Sequence, residues 1–269
     1  MRDRLLLVTC VLLTLLGLGV PAASASVPVP PTRPVEYSLL QLNLCLSGLA
    51  GCFEGTRYPS GVEEAIEVIR AERPDAVTIN EACSADVEQI AEQVGMEHRF
   101  STVIYGGAPL PCRNPGERGV FGNAVLTSAG ITSATDQAYE AQLGAEERRV
   151  LCVVTTDGVR TCTTHLSVAG TAAQAATNQA QCRELAAVLT DGPGRGATIA
   201  GGDVNRLTSC APQGFWTLRD DQATQAVGIQ HVYGSRGVWL RPQAEIVPLS
   251  YTDHDGLLVH ALLRPGAGR

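Results

Sequence analysis

The chain has 269 residues and a formal net charge of −7, and all 20 of its basic residues are arginine. An acidic protein of this kind is unsuited to a purely electrostatic grip on nucleic acid. The same composition is compatible with an enzyme that holds phosphate locally, through a metal ion and a few arginines.

The first residues have the pattern of a secretory signal peptide. Two arginines precede an apolar run over residues 5–20, and Ala23 and Ala25 then form an Ala-x-Ala cleavage site. We expect cleavage after Ala25, which makes residues 1–25 the signal peptide. The apolar run is shorter than the roughly 20 residues that span a bilayer. The sequence therefore predicts a secreted, extracellular protein with no stable membrane anchor.

Beyond the signal peptide, the chain has the organisation of one domain. Residues 26–34 are rich in proline and valine, which indicates an extended linker. Residues 35–269 contain no second long linker and no internal repeat, and a segment of this length suits one α/β domain with a sizeable core. We expect this domain to be a monomer.

Strands and helices alternate in the first half of the domain. Ser60 and Glu63 have the spacing of a capping box, which predicts a helix start, and Pro74 ends that helix. A second helix stops at Gly95. In chain order, the predicted elements are a strand over 36–44, a helix over 60–73, a strand over 76–80 and a helix over 84–94.

Strands dominate the second half. The predicted elements are a strand over 120–127, hairpin arms over 149–155 and 159–166, a helix over 171–189, and strands over 197–200, 228–233 and 256–263. This mixture predicts an α+β fold, in which two sheets pack face to face with helices outside.

Eight cysteines remain after the signal peptide, and an even number in an exported protein indicates disulfides. Eight cysteines allow 105 pairings. In the hairpin, a three-residue loop with Gly158 in the left-handed conformation would place Cys152 opposite Cys162, which favours that bond. A zinc site is the alternative, but the chain has no CxxC spacing. Pairing of sequence neighbours would give the remaining three bonds: Cys45–Cys52, Cys83–Cys112 and Cys182–Cys210.

Polar side chains of the kinds that bind metals or move protons follow several of the apolar strands. Strand ends converge at one rim of a sheet, where the active sites of mixed α/β folds gather. A single strand-end Asn or Asp is usually a turn residue. The prediction of an active site therefore rests on the number of such residues rather than on any one of them. The residues are Asn43, Glu81, His165, Asp203, Asn205, Asp253 and His254.

Seven segments of the chain, which occur in the same order as in the family, resemble the endonuclease/exonuclease/phosphatase superfamily. This superfamily includes deoxyribonucleases, abasic-site endonucleases, bacterial sphingomyelinases and inositol-phosphate phosphatases. The combination of THL, GDxN and a C-terminal DH before an apolar strand is specific. The resemblance implies a four-layer α/β/β/α sandwich, with two packed mixed β-sheets flanked by helices. The segments are LLQLNL (39–44), TINE (78–81), GNAVLT (122–127), ERRVLCVVT (147–155), TTHLS (163–167), IAGGDVN (199–205) and YTDHDGLLV (251–259).

The resemblance also implies a metal site. Glu81 corresponds to the main carboxylate ligand of Mg²⁺, a hard cation that prefers oxygen. Mn²⁺ and Ca²⁺ are the alternatives. Asn43 and Asp253 correspond to the residues beside Glu81 in this site.

Other positions correspond to groups that act on the phosphate. Asp203 matches the group that orients or deprotonates the attacking water, and Asn205 matches an amide that positions the phosphate. His165 and His254 match the imidazoles on either side of the scissile phosphate, where they serve as acid, base or hydrogen-bond donor. Arg149 matches an arginine that contacts a phosphate.

One position departs from the family pattern. Gln230 stands where the family has an Asp that orients the C-terminal histidine, here His254. A neutral amide can hydrogen-bond an imidazole but cannot stabilise its charged form. We therefore expect weaker activity, or compensation by Asp255.

The function implied by the resemblance is a secreted, divalent-metal-dependent hydrolase of phosphate esters, with nucleic acid as the favoured substrate. Two alternatives stay open. One is a sphingomyelinase-like or inositol-phosphatase-like phosphoesterase, although only 4% of the residues are aromatic and no aromatic loop suited to a bilayer is evident. The other, motivated by Gln230, is a binding or effector protein that keeps the fold without turnover.

Overall fold

The structure is a computed structural model that describes residues 33–191 and 196–267. The predicted signal peptide and most of the predicted linker lie outside the described residues. The described helices are α1 (Ser60–Glu72), α2 (Ser84–Val94), α3 (Ala172–Asp191) and a short 3₁₀ helix (Gly51–Thr56).

Fourteen strands lie in the described ranges. In chain order they are β1 (Val35–Asn43), β2 (Ala76–Cys83), β3 (Glu97–Thr102), β4 (Ile104–Tyr105), β5 (Ala108–Pro109), β6 (Phe121–Thr127), β7 (Ile131–Ala138), β8 (Arg149–Thr155), β9 (Arg160–His165), β10 (Thr198–Asp203), β11 (Phe215–Arg219), β12 (Gln230–Ser235), β13 (Trp239–Val247) and β14 (Gly256–Leu263).

Twelve of these strands form two six-stranded mixed sheets. The first sheet has the order β13-β14-β1-β2-β6-β3, and the second has the order β11-β12-β10-β9-β8-β7. Each sheet contains one parallel pair, β1 with β2 and β9 with β10, among antiparallel neighbours. The strands β4 and β5 form a separate small hairpin.

The sheets pack face to face, and helices cover their outer faces. Helices α1 and α2 bury Val62, Ile66 and Ile90 against the first sheet. Helix α3 buries Leu185 and Leu189 against the second sheet. The predicted α+β class and the four-layer α/β/β/α sandwich are therefore confirmed.

The layer between the sheets changes character along its length. On the inward face of β1, Tyr37 and Leu39 belong to an apolar cluster with residues of the second sheet. Two and four residues further on, Gln41 and Asn43 are fully buried and hydrogen-bond across to the second sheet. The apolar half of the layer, around Tyr37 and Leu39, lies away from the strand ends that carry the predicted functional residues. The polar half, around Gln41 and Asn43, lies next to those strand ends.

Gly201 allows the sheets to approach closely in the polar half. A Cβ atom at this position would lie 2.3 Å from Thr78 Oγ1 and 3.0 Å from Leu39 Cδ2. Any larger residue would push the sheets apart, because both contacts are with the opposite sheet.

The capping box predicted for α1 does not form. No side chain caps this helix, and the carbonyl of Pro59 accepts hydrogen bonds from the amides of Val62 and Glu63. Ser60 is already inside the first turn, so its hydroxyl is not at the capping position. The helix ends one residue earlier than predicted, because Arg73 adopts the left-handed conformation before Pro74.

Four long strands were missed by the sequence analysis, and they are the four edge strands β3, β7, β11 and β13. Edge strands pair on one side only and carry polar or exposed residues, as in β7, where six consecutive positions are exposed. Their apolar pattern is consequently weak.

Four disulfides tie the fold together, and all follow the pairing of sequence neighbours. Cys152 and Cys162 are directly opposite in the β8–β9 register, and Gly158 has the left-handed φ of 80° expected for the hairpin loop. Within residues 33–191 and 196–267, no helix has both the length and the apolar character to cross a membrane. The bonds are Cys45–Cys52, Cys83–Cys112, Cys152–Cys162 and Cys182–Cys210.

Candidate active site

The predicted functional residues converge because parallel strands end at the same rim. β1 and β2 run parallel, so Asn43 and Glu81 emerge side by side. β9 and β10 also run parallel, and their register places Asp203 opposite His165. The loop between β13 and β14 delivers His254 to the same place.

A β-bulge turns Glu81 into this site. The pairing of β2 with β6 shifts register between Ile79 and Ala82, and Glu81 lies inside this irregularity with a left-handed φ of 56°. A bulge of this kind re-aims a side chain that regular strand geometry would place elsewhere. The Glu81 side chain keeps 19% of its surface exposed.

Two carboxylates and one imidazole form the centre of the cluster. His165 Nε2 lies 3.7 Å from Glu81 Oε1 and 3.7 Å from Asp203 Oδ2. One possible ligand atom from each of these three residues lies within 4.8 Å of the other two. The geometry is therefore compact enough for all three side chains to face one small ligand.

Asn43 connects the two carboxylates. Its Nδ2 donates to Glu81 Oε1 and to Asp203 Oδ2, both at 3.1 Å, and its Oδ1 accepts the amide of Cys45 at 3.2 Å. In this arrangement the nitrogen, rather than the oxygen, faces the carboxylates. Asn43 thus holds the two acids together instead of presenting the oxygen ligand that the resemblance implies.

His254 lies between two further acidic contacts. Its Nε2 is 3.3 Å from Asp203 Oδ2, close enough for an ion pair but without an aligned hydrogen bond. Its Nδ1 is hydrogen-bonded to Asp253 Oδ1 at 2.9 Å. Asp253 therefore orients His254, and it does not belong to the group formed by Glu81, His165 and Asp203.

Their different surroundings give the two histidines different charge states. Burial lowers the pKa of His165 to about 3, and the positive charge of Arg148 acts in the same direction. Burial also opposes the charge of His254, but the close negative charges of Asp203 and Asp253, with the hydrogen bond to Asp253, raise its pKa to about 10. His165 is therefore neutral near pH 7, and His254 is positively charged.

The two acids are also shifted in opposite directions. Burial raises the pKa of Glu81 to about 7, outweighing the hydrogen bond from Asn43. Burial would raise the pKa of Asp203 as well, but the close contact with positively charged His254, with the hydrogen bond from the Asn205 amide, holds it at about 2. Pairs of titratable groups with divergent pKa values are typical of catalytic sites.

Asn205 follows Asp203 in a tight turn. It has a left-handed φ of 51°, its amide donates to Asp203 Oδ1 at 2.9 Å, and its Nδ2 donates to the carbonyl of Leu166 at 3.0 Å. The turn fixes Asp203, and the role of the Asn205 side chain in positioning a phosphate stays a prediction.

Two adjacent arginines precede or begin β8, and only Arg148 lies near the cluster. The side chain of Arg149 pairs with Asp136 on the edge strand β7 and with Glu147, so it does not face the cluster. Its neighbour Arg148 lines a cleft together with Glu81 and His165. The sequence offered two adjacent arginines just before β8, and only the three-dimensional course of the chain distinguishes them.

Gln230 does not take the place of an orienting aspartate. Its Nε2 donates to the carbonyl of Asp255 at 2.6 Å and to Asp220 Oδ2 at 3.4 Å, and it makes no hydrogen bond to His254. The carboxylate of Asp255 binds Thr224, so Asp255 does not compensate either. Asp253 is the carboxylate that holds His254.

Asn80 was not among the predicted site residues, and the structure shows that it anchors Asp203. Its Oδ1 accepts the amide of Asp203 at 2.7 Å and Nε2 of Gln41 at 2.9 Å. Its Nδ2 donates to Asn123 at 3.0 Å and to Thr163 at 3.3 Å. This fully buried amide locks both sheets at the point where the cluster begins. A polar residue at the end of the buried TIN segment was the available signal.

The donor set fits a hard divalent cation. Glu81 and Asp203 present carboxylate oxygens, the preferred ligands of Mg²⁺, Mn²⁺ and Ca²⁺. Burial disfavours the ionised form of Glu81, and a bound cation would reverse that preference. His165 completes the set of possible ligands.

Solved structures of other proteins share the fold of this chain. The endonuclease/exonuclease/phosphatase protein of Beutenbergia cavernae aligns with a TM-score of 0.63 and 18% identity, over 87% of this chain and 72% of that protein. TDP2 of D. rerio, in complex with a single-strand DNA product, aligns with a TM-score of 0.61 and 14% identity, over 84% and 98%.

The catalytic domain of human Nocturnin, with a bound sulfate anion, aligns with a TM-score of 0.60 and 13% identity, over 86% of this chain and 94% of that domain. No protein-family model and no curated protein sequence matches the chain. At these identities the likeness establishes the fold, and the predicted resemblance is confirmed at that level.

Proposed function

We propose that this chain, which has the endonuclease/exonuclease/phosphatase fold, is a secreted, divalent-metal-dependent phosphodiesterase. One observation carries the proposal: four strand ends and one loop bring Asn43, Glu81, His165, Asp203 and His254 into contact at a single rim. The four disulfides are in keeping with an oxidising, extracellular location.

Glu81 and Asp203 would hold the cation, with Asn43 keeping their oxygens together. The cation would neutralise charge on the phosphoryl group and favour attack by water. Asp253, predicted as a further ligand, supports His254 in this account.

The remaining groups would act directly on the phosphate. Asp203 would orient the attacking water, and His165 and His254, whose Nε2 atoms lie 3.7 Å and 3.3 Å from Asp203 Oδ2, would hold or move protons. Asn205 lies beside them as a donor for a phosphoryl oxygen. Arg148, which lines the cleft beside Glu81 and His165, would contact the phosphate in place of Arg149.

Nucleic acid is the substrate class that we favour. TDP2, which shares the fold, has been solved with a single-strand DNA product. The net charge of −7 argues against a long electrostatic footprint on nucleic acid. We therefore propose that the enzyme grips a few nucleotides near the scissile bond rather than a duplex.

Hydrolysis of a substrate panel tests the proposal. The mature protein is incubated with DNA, RNA, sphingomyelin, an inositol phosphate and bis(p-nitrophenyl) phosphate, with Mg²⁺ or with chelator. We expect chelator-sensitive release of product from the phosphodiesters, with nucleic acid preferred.

Two variants make the test specific. His165→Ala should lower the rate by at least about 100-fold, whereas His260→Ala should leave it unchanged, because His260 is exposed on β14 and pairs in register with Ser38. Retained folding of both is checked by circular dichroism. If no substrate is hydrolysed in a chelator-sensitive way, the chain is a non-catalytic version of the fold.

A further inference from the structure

A cleft of about 640 Å³ opens directly beside Glu81 and His165. One of its walls comes from the segment after β1, which includes Ser47 and Leu49. A further part of the lining comes from Tyr105 and from Arg148, which precedes β8. A volume of this order can hold a small organic group.

The walls of this cleft are tied together by backbone hydrogen bonds. The amide of Arg113 donates to the carbonyl of Ser47 at 3.0 Å, and the amide of Gly106 donates to the carbonyl of Ala145 at 2.8 Å. The disulfides Cys45–Cys52 and Cys83–Cys112 anchor the same segments. The cleft is therefore formed before any ligand arrives.

The cleft exposes apolar surface next to a polar site. Leu49 is 47% exposed and Tyr105 is 50% exposed, and both are among the few large apolar side chains with this much exposure in the described residues. Leu110 and Phe121 extend the same lining inward. Such a surface favours an apolar group on the ligand.

Guanidinium groups distinguish between kinds of apolar ligand. Arg113 and Arg148 also line the cleft, and a guanidinium stacks favourably on a planar ring but gains little from an alkyl chain. Arg148 Nη2 pairs with Glu146 at 3.1 Å. Arg148 Nη1 is buried and makes no hydrogen bond to the described residues, so this guanidinium has unused donor capacity.

From these contacts, and resting on the proposed function, we infer that the cleft binds a planar aromatic ring carried on one arm of the phosphate ester. The ring contacts Leu49 and Tyr105, and the guanidinium of Arg148 donates to an oxygen of the attached phosphoryl group. A nucleobase and an aryl group share this chemistry. The cleft therefore selects esters that carry a ring over esters that carry an alkyl chain.

Binding of phosphonates tests the inference without turnover, because their C–P bond is not an ester. Dissociation constants are measured by calorimetry, with Mg²⁺ present, for phenylphosphonate, butylphosphonate and methylphosphonate. We expect phenylphosphonate to bind at least about tenfold more tightly than the other two. A thymidine 5′-phosphonate in the same series distinguishes the two sources: tighter binding than phenylphosphonate indicates a nucleobase, and weaker binding indicates an aryl group.

Matched variants locate the ring. Leu49→Ala and Tyr105→Ala should each reduce the preference for phenylphosphonate toward equality with methylphosphonate. Val35→Ala should keep the full preference, because Val35 is 48% exposed at the start of β1, the end of that strand remote from the site.

Equal binding of phenyl-, butyl- and methylphosphonate to the wild-type protein would overturn the inference. So would a ring preference that survives in both Leu49→Ala and Tyr105→Ala. These results are independent of hydrolysis: a clear ring preference in a protein that hydrolyses nothing would reject the proposed catalysis and leave the ring-binding cleft in place.

Discussion

The two ends of the layer between the sheets are built from the same strands but differ in chemistry. At one end, Leu39 of β1, Ile199 of β10 and Val232 of β12 pack as an apolar cluster. At the other end, Gln41 of β1 and Gln230 of β12 are hydrogen-bonded to each other at 3.3 Å, beside the strand ends that carry the active-site residues.

The apolar end stabilises the sandwich, and the polar end positions the residues of the candidate active site. Apolar contacts are non-directional, so the cluster around Leu39 supplies stability without fixing any particular geometry. Hydrogen bonds are directional, and a fully satisfied buried network specifies one arrangement. The network centred on Asn80 therefore holds Asp203 in place at some cost in desolvation.

Truncation at the apolar end gives the largest expected loss of stability. Leu39 is fully buried, and Leu39→Ala should lower the free energy of unfolding by about 2–5 kcal/mol. Urea denaturation measures this loss. The kcat of the folded fraction should stay within about twofold of wild type, because Leu39 does not contact the site. A large fall in kcat would show that the two ends are not separable.

Truncation at the polar end should cost less stability and more activity. Asn80→Ala removes the acceptor for the amide of Asp203 and for Gln41, and leaving such groups unpaired costs about 1–3 kcal/mol. Because Asp203 loses its anchor, kcat should fall clearly below that of Leu39→Ala. The kcat values of the two variants are measured under the same conditions. Equal values would mean that the network around Asn80 does not position the active-site residues.

The outward face of β12 offers a third, smaller test. His231 is fully buried and hydrogen-bonded to Tyr233 and Gly228, and burial lowers its pKa to about 4. The unfolded chain takes up a proton near pH 6.5, but the folded protein does not until about pH 4. This histidine therefore contributes a loss of stability as the pH falls between those values.

The loss from His231 should amount to about 2 kcal/mol between pH 7 and pH 5. His231→Gln should lose less stability than wild type over the same interval, as measured by urea unfolding at the two pH values. An identical pH dependence in both proteins would show that His231 is not buried in its neutral form.

The two ends of the layer also differ in how far the sequence could predict them. Helices α1 and α2 and the central strands were predictable because apolar residues recur along them, whereas α3 was predictable from its Ala- and Gln-rich composition. The convergence of Glu81, His165, Asp203 and His254 followed from their places at strand ends. The edge strands lacked a pattern, and the roles of Arg148, Asp253 and Asn80 depend on side-chain directions that a bulge and two loops determine.

Binding of Mn²⁺ tests whether Glu81, at the rim of the sandwich, is the ligand of a divalent cation. Electron paramagnetic resonance counts the bound and free ion in wild type, Glu81→Gln and the control Glu67→Gln, whose side chain is exposed on α1. We predict that wild type and Glu67→Gln bind Mn²⁺ alike, and that Glu81→Gln binds at least about tenfold more weakly and loses hydrolysis. Unchanged Mn²⁺ affinity and unchanged hydrolysis in Glu81→Gln would contradict the account.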